Sequence, residues 1–399
     1  MKKGWEIKKL GEVCEFKSGT TIDSKLEKSD GEIIYAKVGD MNLDGNEDYI
    51  TISSRYVDLK SINQNQIIPV GSIIFPKRGG AIATNKKRRI IQPTIVDLNT
   101  MGLVPSKIID KNYLFFWFKQ IDLSDLSNGT SIPQINNYSF DDVHIPYPKS
   151  LHEQQRIVAI LDEAFAAIAK AKANAEQNLK NAKELFESYL QGVFGNKGDG
   201  WEEQTLGDVL VKTETVDPTK KPNEEFIYLD VSSVNKETKE IKNATVLLGK
   251  DAPSRARKMV RTNDVIFATV RPTHSRVALI TEEYDEQVCS TGYFVLRAKE
   301  FLSNNLVYYF LLTYSFNKQM EKLQKGASYP AVTDSEVKGI YISFPKSLKE
   351  QNKIVQKLDA LSTETKKLEA IYFQKINDLE ELKKSILQKA FSGELSVHD

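Results

Sequence analysis

Two long stretches of the chain carry apolar residues at the spacing of paired helices. Residues 152–194 contain no proline. Alternating steps of four and three residues mark a stripe there that comprises Ile157, Leu161, Ala164, Ile168, Ala171, Ala175, Asn178, Ala182, Leu185 and Tyr189. A second stripe comprises Ile354, Leu358, Leu361, Thr365, Leu368, Tyr372, Lys375, Leu379, Leu382 and Ile386. A period near 3.5 residues, held for about five heptads, predicts long helices that pack on each other.

Antiparallel pairing of the two predicted helices would place the segments that precede them at opposite ends of a rod. Roughly 40 residues at about 1.5 Å each give a rod of about 60 Å. Because DNA rises about 3.4 Å per base pair, such a rod could span more than one turn of a duplex. The alternative is that two unrelated amphipathic helices cover separate cores.

The chain also repeats itself, and only the two ends of each half are alike. The first half begins with Gly4-Trp5-Glu6 and Leu10-Gly11-Glu12-Val13, which recur as Gly200-Trp201-Glu202 and Leu206-Gly207-Asp208-Val209. The later matches pair Gly129-Thr130-Ser131-Ile132-Pro133 with Gly326-Ala327-Ser328-Tyr329-Pro330, Pro148-Lys149-Ser150-Leu151 with Pro345-Lys346-Ser347-Leu348, and Glu153-Gln154 with Glu350-Gln351. A duplicated domain that drifted explains the divergent middles. A shared scaffold that carries two different recognition surfaces also explains why the ends stayed alike.

Short β-rich segments alternate with turns in each half and are followed by one helical segment. Strands are expected near residues 32–38, 48–53, 71–75 and 90–97, and a helix near 110–120. The second half should have strands near 226–231, 264–270, 276–281 and 287–297, and a helix near 304–323. The sequence therefore predicts an α+β fold with two globular domains, residues 1–148 and 198–345. A pair of long antiparallel coiled-coil helices, residues 149–197 and 346–399, is expected to separate them.

Composition restricts the class of protein without deciding its function. Apolar residues make up 40% and charged residues 27%, and the net charge of +1 shows that the chain is not basic overall. Nucleic-acid binding would therefore depend on local patches. The two cysteines, Cys14 and Cys289, give no disulfide framework or zinc site, and no apolar run suggests a signal peptide or a membrane span. We expect a cytoplasmic protein.

Basic residues concentrate in the corresponding third of each half. Residues 77–89 contain six bases and no acid, and residues 250–276 contain seven bases and two acids. Lysine and arginine neutralise phosphates, and the arginine fork also reads guanine edges. The candidates for DNA contact from these stretches are Lys77, Arg78, Lys86, Lys87, Arg88, Arg89, Arg255, Arg257, Lys258, Arg271, His274 and Arg276. A solvated charged face is the alternative for each patch taken alone.

A polar loop near the end of each half supplies further candidates. Glutamine and asparagine pair bidentately with adenine, and a glycine-containing turn is flexible enough to enter a groove. An ordinary turn before a strand is the alternative. The candidates from these loops are Ser131, Gln134, Asn136, Tyr138, Ser328 and Tyr329.

The sequence lacks the motifs of common catalytic sites. There is no phosphate-binding loop of the G-x-x-x-x-G-K-[ST] type and no Asn-Pro-Pro-aromatic motif, and the histidines show no metal-ligand spacing.

The matched ends of the two halves resemble the specificity subunits of type I restriction–modification enzymes. The resemblance covers the whole chain, including its duplication. Its most specific part is the string from Glu153 to Leu161 at the start of the first long helix. One departure is Tyr329, which stands where the first copy has Ile132.

This resemblance implies a non-catalytic subunit whose two domains each read one half of a bipartite, asymmetric DNA site. It implies that the helices fix the unread gap and dock two modification (methyltransferase) subunits, and that double-stranded DNA is the ligand. S-adenosylmethionine would be bound by those partner subunits, and ATP and magnesium by a restriction subunit, so no cofactor is expected on this chain. Because the middle thirds differ, we expect the two half-sites to differ.

Three alternatives to this interpretation remain open. They are a coiled-coil adaptor that never touches DNA, a nuclease that uses carboxylates such as Asp40 and Asp44, and a DNA binder outside restriction.

Overall fold

The structure is a computed structural model, and it describes residues 3–129 and 131–395. The chain divides into two compact units, one of Met1–Asn174 with Lys375–Asp399 and one of Ala175–Gln374. Both divisions fall inside long helices, which therefore contribute to both units. Strands and helices are mixed in each unit, which confirms the α+β class.

The first unit is built from short strands that precede a long helix. Its strands are β1 (Trp5–Lys9), β2 (Cys14–Ser18), β3 (Ile33–Ala36), β4 (Tyr49–Ile50), β5 (Tyr56–Val57), β6 (Ile73–Pro76), β7 (Arg88–Ile90), β8 (Thr94–Val96), β9 (Thr100–Pro105) and β10 (His144–Pro148). Its helices are α1 (Leu10–Val13), α2 (Lys111–Phe118) and the first part of α3 (Leu151–Gly195). One sheet has the order β2-β9-β6-β7-β4, a second has the order β5-β3-β8, and β1 pairs with β10.

The second unit follows the same plan with a different middle. Its strands are β11 (Trp201–Thr205), β12 (Glu225–Leu229), β13 (Thr245–Leu248), β14 (Ala256–Met259), β15 (Val265–Ala268), β16 (Val277–Leu279), β17 (Val288–Ser290), β18 (Tyr293–Leu296) and β19 (Tyr341–Pro345). Its helices are α4 (Leu206–Val209), α5 (Asn304–Leu311), α6 (Tyr314–Leu323), α7 (Asp334–Lys338) and the first part of α8 (Leu348–Ser392). The sheets have the orders β13-β12-β17-β14 and β16-β15-β18, and β11 pairs with β19.

The repeated ends of each half are neighbours in space. β1 runs antiparallel to β10 with Trp5 opposite Pro148, and β11 runs antiparallel to β19 with Trp201 opposite Pro345. The strand that opens each half therefore pairs with the strand that leads into its long helix. The first and last segments of each half resemble those of the other half because they pair with each other in one small sheet, and the divergent middle is inserted between them.

A buried glutamine attaches the start of each long helix to its unit. Gln154 is fully buried; its Oε1 accepts the Asp110 N–H at 2.7 Å, and its Nε2 donates to the carbonyls of Ile108 at 3.1 Å and Pro148 at 2.8 Å. Gln351 makes the equivalent bonds to the Ser303 N–H and to the carbonyls of Phe301 and Pro345. The repeated Glu-Gln pair thus holds a structural role, since burial of an amide requires that its polar atoms be paired.

Each unit has a hydrophobic core to which both long helices contribute. In the first unit the aromatic face of α2 packs against the start of α3 and the end of α8, where the Tyr113 and Phe391 rings lie 5.0 Å apart. In the second unit α5 packs against the end of α3 and the start of α8, and the Phe194 and Phe310 rings lie 5.6 Å apart.

The contacts between α3 and α8 within the first unit run in opposite directions along the chain. Arg156 donates to the carbonyl of Leu395, which follows the end of α8. On α8 itself the Lys383 amine lies 5.4 Å from the Phe165 ring centre, and Glu380 pairs with Lys172 at 2.5 Å. The residue number on α8 falls as that on α3 rises. This order confirms the predicted antiparallel pairing of long helices.

The predicted stripe on α3 is correct only as far as Ala182, and within that range Asn178 is exposed. Leu185 and Tyr189 are exposed, while Phe186 and Leu190 pack into the core of the second unit. An α-helix has 3.6 residues per turn, so a strict 3.5-residue pattern drifts around the helix over several heptads. On α8, Leu368, Lys375 and Leu382 of the predicted stripe are likewise exposed.

Two predicted elements of the second unit are each divided in two. The helix expected over residues 304–323 is broken between α5 and α6, because the Thr313 hydroxyl accepts the Phe316 N–H and begins a new helix. The strand expected over 287–297 is interrupted at Gly292, where an added Cβ would lie 2.6 Å from the Val231 side chain.

Candidate nucleic-acid interface

In the first unit the polar loop lies against the end of strand β6. We name residues 129–133 turn A; Thr130 lies outside the described residues. The Gly79 N–H donates to the Pro133 carbonyl at 2.8 Å, and the Ile135 N–H donates to the Lys77 carbonyl at 2.9 Å. Two segments that the sequence separates by about fifty residues are therefore joined by backbone bonds.

The second unit repeats this junction with the same pattern of bonds. Residues 326–330 form turn B, and the Arg271 N–H donates to the Pro330 carbonyl at 2.7 Å. The Val332 N–H donates to the Thr269 carbonyl at 2.9 Å. Arg271 thus occupies the structural position of Gly79, and each basic segment meets the polar loop of its own unit.

Arg271 holds a backbone conformation that favours glycine. Its φ is 50°, and the equivalent Gly79 has a φ of 71°. The left-handed region costs a residue with a Cβ about 1–2 kcal/mol. The guanidinium lies 5.4 Å from the Tyr329 ring centre, and both side chains are exposed. An exposed arginine kept in a strained position beside an exposed ring suggests a functional rather than a packing role.

The basic residues of the first unit differ in what they can reach. Arg78 is exposed, Lys77 is half-buried with its amine 3.0 Å from the Ser18 hydroxyl, and Lys86 is bonded to the Asn42 side chain. Burial, followed by the nearby Arg78, lowers the pKa of Lys77. Arg88 is half-buried and donates to the carbonyls of Met41 and Lys87. Among the six basic residues of this stretch, Arg78 is the one whose side chain is exposed.

Lys87 and Arg89 are interior residues, which the sequence pattern did not reveal. Lys87 is 4% exposed and donates to the side chain of Asn85 and the carbonyl of Ile121, and burial lowers its pKa to about 8. Arg89 is 8% exposed and lies between the Tyr49 and Phe115 rings, 4.0 Å and 4.3 Å from their centres. Both side chains contribute to the packing of the interior of the first unit, so we do not include these two candidates in the proposed interface.

Beyond turn A, polar side chains form a short chain of hydrogen bonds. Gln134 Nε2 donates to Asn136 Oδ1 at 3.1 Å, and Asn136 Nδ2 donates to the Tyr138 hydroxyl at 2.9 Å. Tyr138 and Ser131 are exposed. This arrangement presents amide and hydroxyl groups beside Arg78, whose backbone bridges to that of Gln134.

The second unit has a cluster of positive charge around His274. The pKa of His274 is lowered by partial burial first and then by the neighbouring Lys236, Arg271 and Arg276. Arg276 is half-buried and donates to the Val234 carbonyl. Lys236 was missed in the sequence, since it lies outside the basic stretch and only the fold brings it near.

The remaining candidates of the second unit divide by their partners. Arg255 is exposed. Arg257 forms an ion pair with Asp217 at 3.4 Å, and Lys258 pairs with Asp334 at 2.7 Å and donates to the Tyr293 carbonyl. Ser328 is exposed on turn B. Arg255 is thus exposed to solvent, whereas the charges of Arg257 and Lys258 are balanced by carboxylates of their own unit.

Of the two carboxylates considered for a nuclease, Asp40 has a structural role and Asp44 is exposed. Asp40 is buried and accepts the Lys37 N–H at 2.7 Å and the Ser54 hydroxyl at 3.0 Å, so it stabilises a loop. Among the described residues no group of three or more histidine, cysteine or acidic side chains could hold a metal ion. Within the same residues no helix is both long and apolar enough to cross a membrane.

Comparison with known proteins decides the family. The pattern of the type I restriction modification DNA specificity domain matches this chain twice, over residues 2–180 and 198–381. The chain belongs to this family. Each match covers one of the two repeats, including its turn and the first two thirds or more of the long helix that follows.

Curated relatives carry the name of type I specificity subunits. The MjaIX specificity subunit of Methanocaldococcus jannaschii is 28% identical over 233 residues, and the alignment covers 52% of this chain and 52% of the relative. This chain thus spans about half the length of that relative. The MjaVIII specificity subunit of the same organism is 24% identical over 98% of this chain and 93% of its own.

A chain in a solved structure of a type I R-M system has the same fold. The structure was solved to explain complex assembly and conformational transition of the type I R-M system. One of its chains aligns with this protein with a TM-score of 0.76 at 18% identity. The alignment covers 98% of both chains. The two chains therefore share one fold.

Proposed function

We propose that this chain is the DNA-recognition subunit of a type I restriction–modification enzyme and catalyses no reaction itself. The observation that carries the proposal is the double match to the specificity domain, with one equivalent junction of basic segment and polar turn in each unit. Double-stranded DNA is the ligand that suits these junctions, since exposed arginines bind phosphates and guanine edges while amides pair with bases.

Residues 1–148 and 198–345 act as the two target-recognition domains, and each reads one half of a bipartite site. In the first, Arg78, Gln134 and Asn136 lie at the junction; in the second, Arg271 and Tyr329 do so. Because these side chains differ, the two half-sites differ and the whole site is asymmetric.

The helical segments, residues 149–197 and 346–399, set the gap between the half-sites and dock two modification subunits. α3 and α8 each have 45 residues, or about 67 Å at 1.5 Å per residue. That length corresponds to about 20 base pairs of DNA. Their mutual packing in each unit supports a rigid spacer.

The chemistry belongs to partner subunits. S-adenosylmethionine is bound by the modification subunits, which transfer the methyl group, and ATP and magnesium by a restriction subunit where one is present. We propose no cofactor for this chain and a cytoplasmic location, where host DNA is accessible.

Methylation mapping tests this proposal. DNA from cells that express this chain with its modification subunit should carry methylated adenine at one bipartite sequence with a fixed gap. Cells that express the modification subunit alone serve as the control and should lack that methylation. Methylation that is identical with and without this chain would refute the proposed role.

A further inference from the structure

Turns A and B are the same structural frame with different residues at the tip. Pro133 and Pro330 anchor the frames through backbone bonds of 2.8 Å and 2.7 Å to the residues that follow β6 and β15. The residue before each proline is Ile132 in turn A and Tyr329 in turn B. The anchors are shared, and the tip residue is what distinguishes the two junctions.

Both tip side chains are large and directed to solvent. Ile132 is 64% exposed and Tyr329 is 74% exposed. Single exposed apolar residues are common on protein surfaces, so exposure alone indicates nothing. Here, however, each tip stands at the junction with the basic segment of its unit. The Arg271 guanidinium lies 5.4 Å from the Tyr329 ring centre, and the backbone of Arg78 bridges to Gln134, two residues after Ile132.

We infer that Ile132 and Tyr329 contact base pairs, one in each half-site, and determine the base preference at equivalent positions of the two halves. This inference rests on the proposed function. Neutralising phosphates positions a protein on DNA without reading its sequence, whereas apolar contacts at base edges or base steps carry sequence information. The arginine of each junction supplies the first kind of contact and the tip supplies the second.

The difference between the tips has a direct chemical consequence. An isoleucine offers only aliphatic surface, which suits the methyl group of thymine. A tyrosine offers a ring face that stacks on bases and a hydroxyl that forms hydrogen bonds. One frame with two tips therefore reads two different base pairs, and the exchange of a single residue should change what a frame reads.

Exchange of the tips tests the inference in the full chain assembled with its modification subunit. Binding selections from randomised duplexes would compare the wild-type complex with Ile132→Tyr and Tyr329→Ile. Each exchange should alter the preference at one or two neighbouring base pairs of one half-site only. The other half-site and the gap should stay unchanged. A second variant, Tyr329→Ala, should reduce discrimination at that position by roughly five- to hundredfold, the range for one lost base contact.

Two control variants match the tips in size and exposure. Tyr314 is 64% exposed with the Lys318 amine 5.4 Å from its ring centre, and Ile7 is 50% exposed on β1. Tyr314→Ile and Ile7→Tyr should leave the selected sequence unchanged. Circular dichroism should show all variants folded, since each change is at an exposed side chain.

The outcomes separate the inference from the proposed function. If the wild-type complex selects a bipartite sequence and the tip variants select the same one, the inference is wrong and the proposed function stands. Equal loss of affinity for every sequence would also overturn it, because that result indicates phosphate contact. If the wild-type complex selects no sequence, the proposed function fails and the inference fails with it.

Discussion

Replacement of Gln154 by leucine should destabilise the first unit without touching its surface. The substitution removes bonds to the Asp110 N–H and to the carbonyls of Ile108 and Pro148. The Pro148 carbonyl is buried, and a buried polar group left unpaired costs about 1–3 kcal/mol. The other two groups are partly solvated and lose about 0.5–1.5 kcal/mol each.

The leucine recovers part of this loss. Burying its apolar side chain contributes about 1–2 kcal/mol in the stabilising direction. We therefore expect a net destabilisation of about 1–4 kcal/mol, which is a large share of the stability of a typical domain.

Urea unfolding followed by circular dichroism and tryptophan fluorescence would measure this change, since Trp117 is buried in the core of the first unit. The neighbouring Gln155 is exposed, and glutamine and leucine have similar helix propensities. Gln155→Leu should therefore change stability by less than about 0.5 kcal/mol. Equal stability of the two variants would show that the bonds of Gln154 contribute nothing. Gln351→Leu should destabilise the second unit in the same way.

Three further predictions concern DNA binding, the gap and pH. Arg78→Ala and Arg271→Ala should each weaken DNA binding in a filter-binding or anisotropy assay, and lower the salt dependence by about one released counterion; unchanged affinity at moderate salt would contradict the assignment. Arg271→Gly should weaken binding as much while leaving the melting temperature close to that of the wild type, because glycine relieves the left-handed strain but frees the unfolded chain. Insertion of seven residues into α3 adds about 10 Å, or about three base pairs, and should lengthen the preferred gap in a binding selection; recovery of the original gap would count against a spacer role. Burial lowers the pKa of Lys87 to about 8 in the folded state, whereas an unfolded lysine has a pKa of about 10.4. Between these two pH values the unfolded state binds more protons than the folded state. The contribution of Lys87 to the stability of the first unit therefore increases as pH rises through this window. Lys87→Met should flatten the rise in urea midpoint between pH 8 and 10, and an identical pH profile in the variant would exclude Lys87 as its source.

The sequence predicted the organisation of the chain well because periodicity and repetition are local properties. The paired stripes identify α3 and α8, and the repeated ends mark where each half closes. The prediction is wrong at Leu185 and Tyr189 because a 3.5-residue pattern drifts around a helix that has 3.6 residues per turn. By that point the pattern no longer follows the face that packs against the second unit. The division of α5 from α6 depends on a threonine cap that an apolar pattern does not display.

The interface was harder to predict because charge in a sequence carries no information on burial. Arg78 and Arg89 look alike in a run of bases, yet one is exposed and the other lies between two rings. The distant Lys236 joins the His274 cluster only through the fold. The junction of basic segment and turn was also invisible, since it depends on backbone bonds across about fifty residues.

The pairing of β1 with β10 and of β11 with β19 has a consequence for how new variants of this protein arise. Both ends of each divergent segment leave the same small sheet, where Trp5 faces Pro148 and Trp201 faces Pro345. A genetic crossover within the shared flanks therefore exchanges a whole reading module while the attachment points keep their positions. In each half, the pairing of its first and last strands lets the segment between them be replaced without moving the long helix.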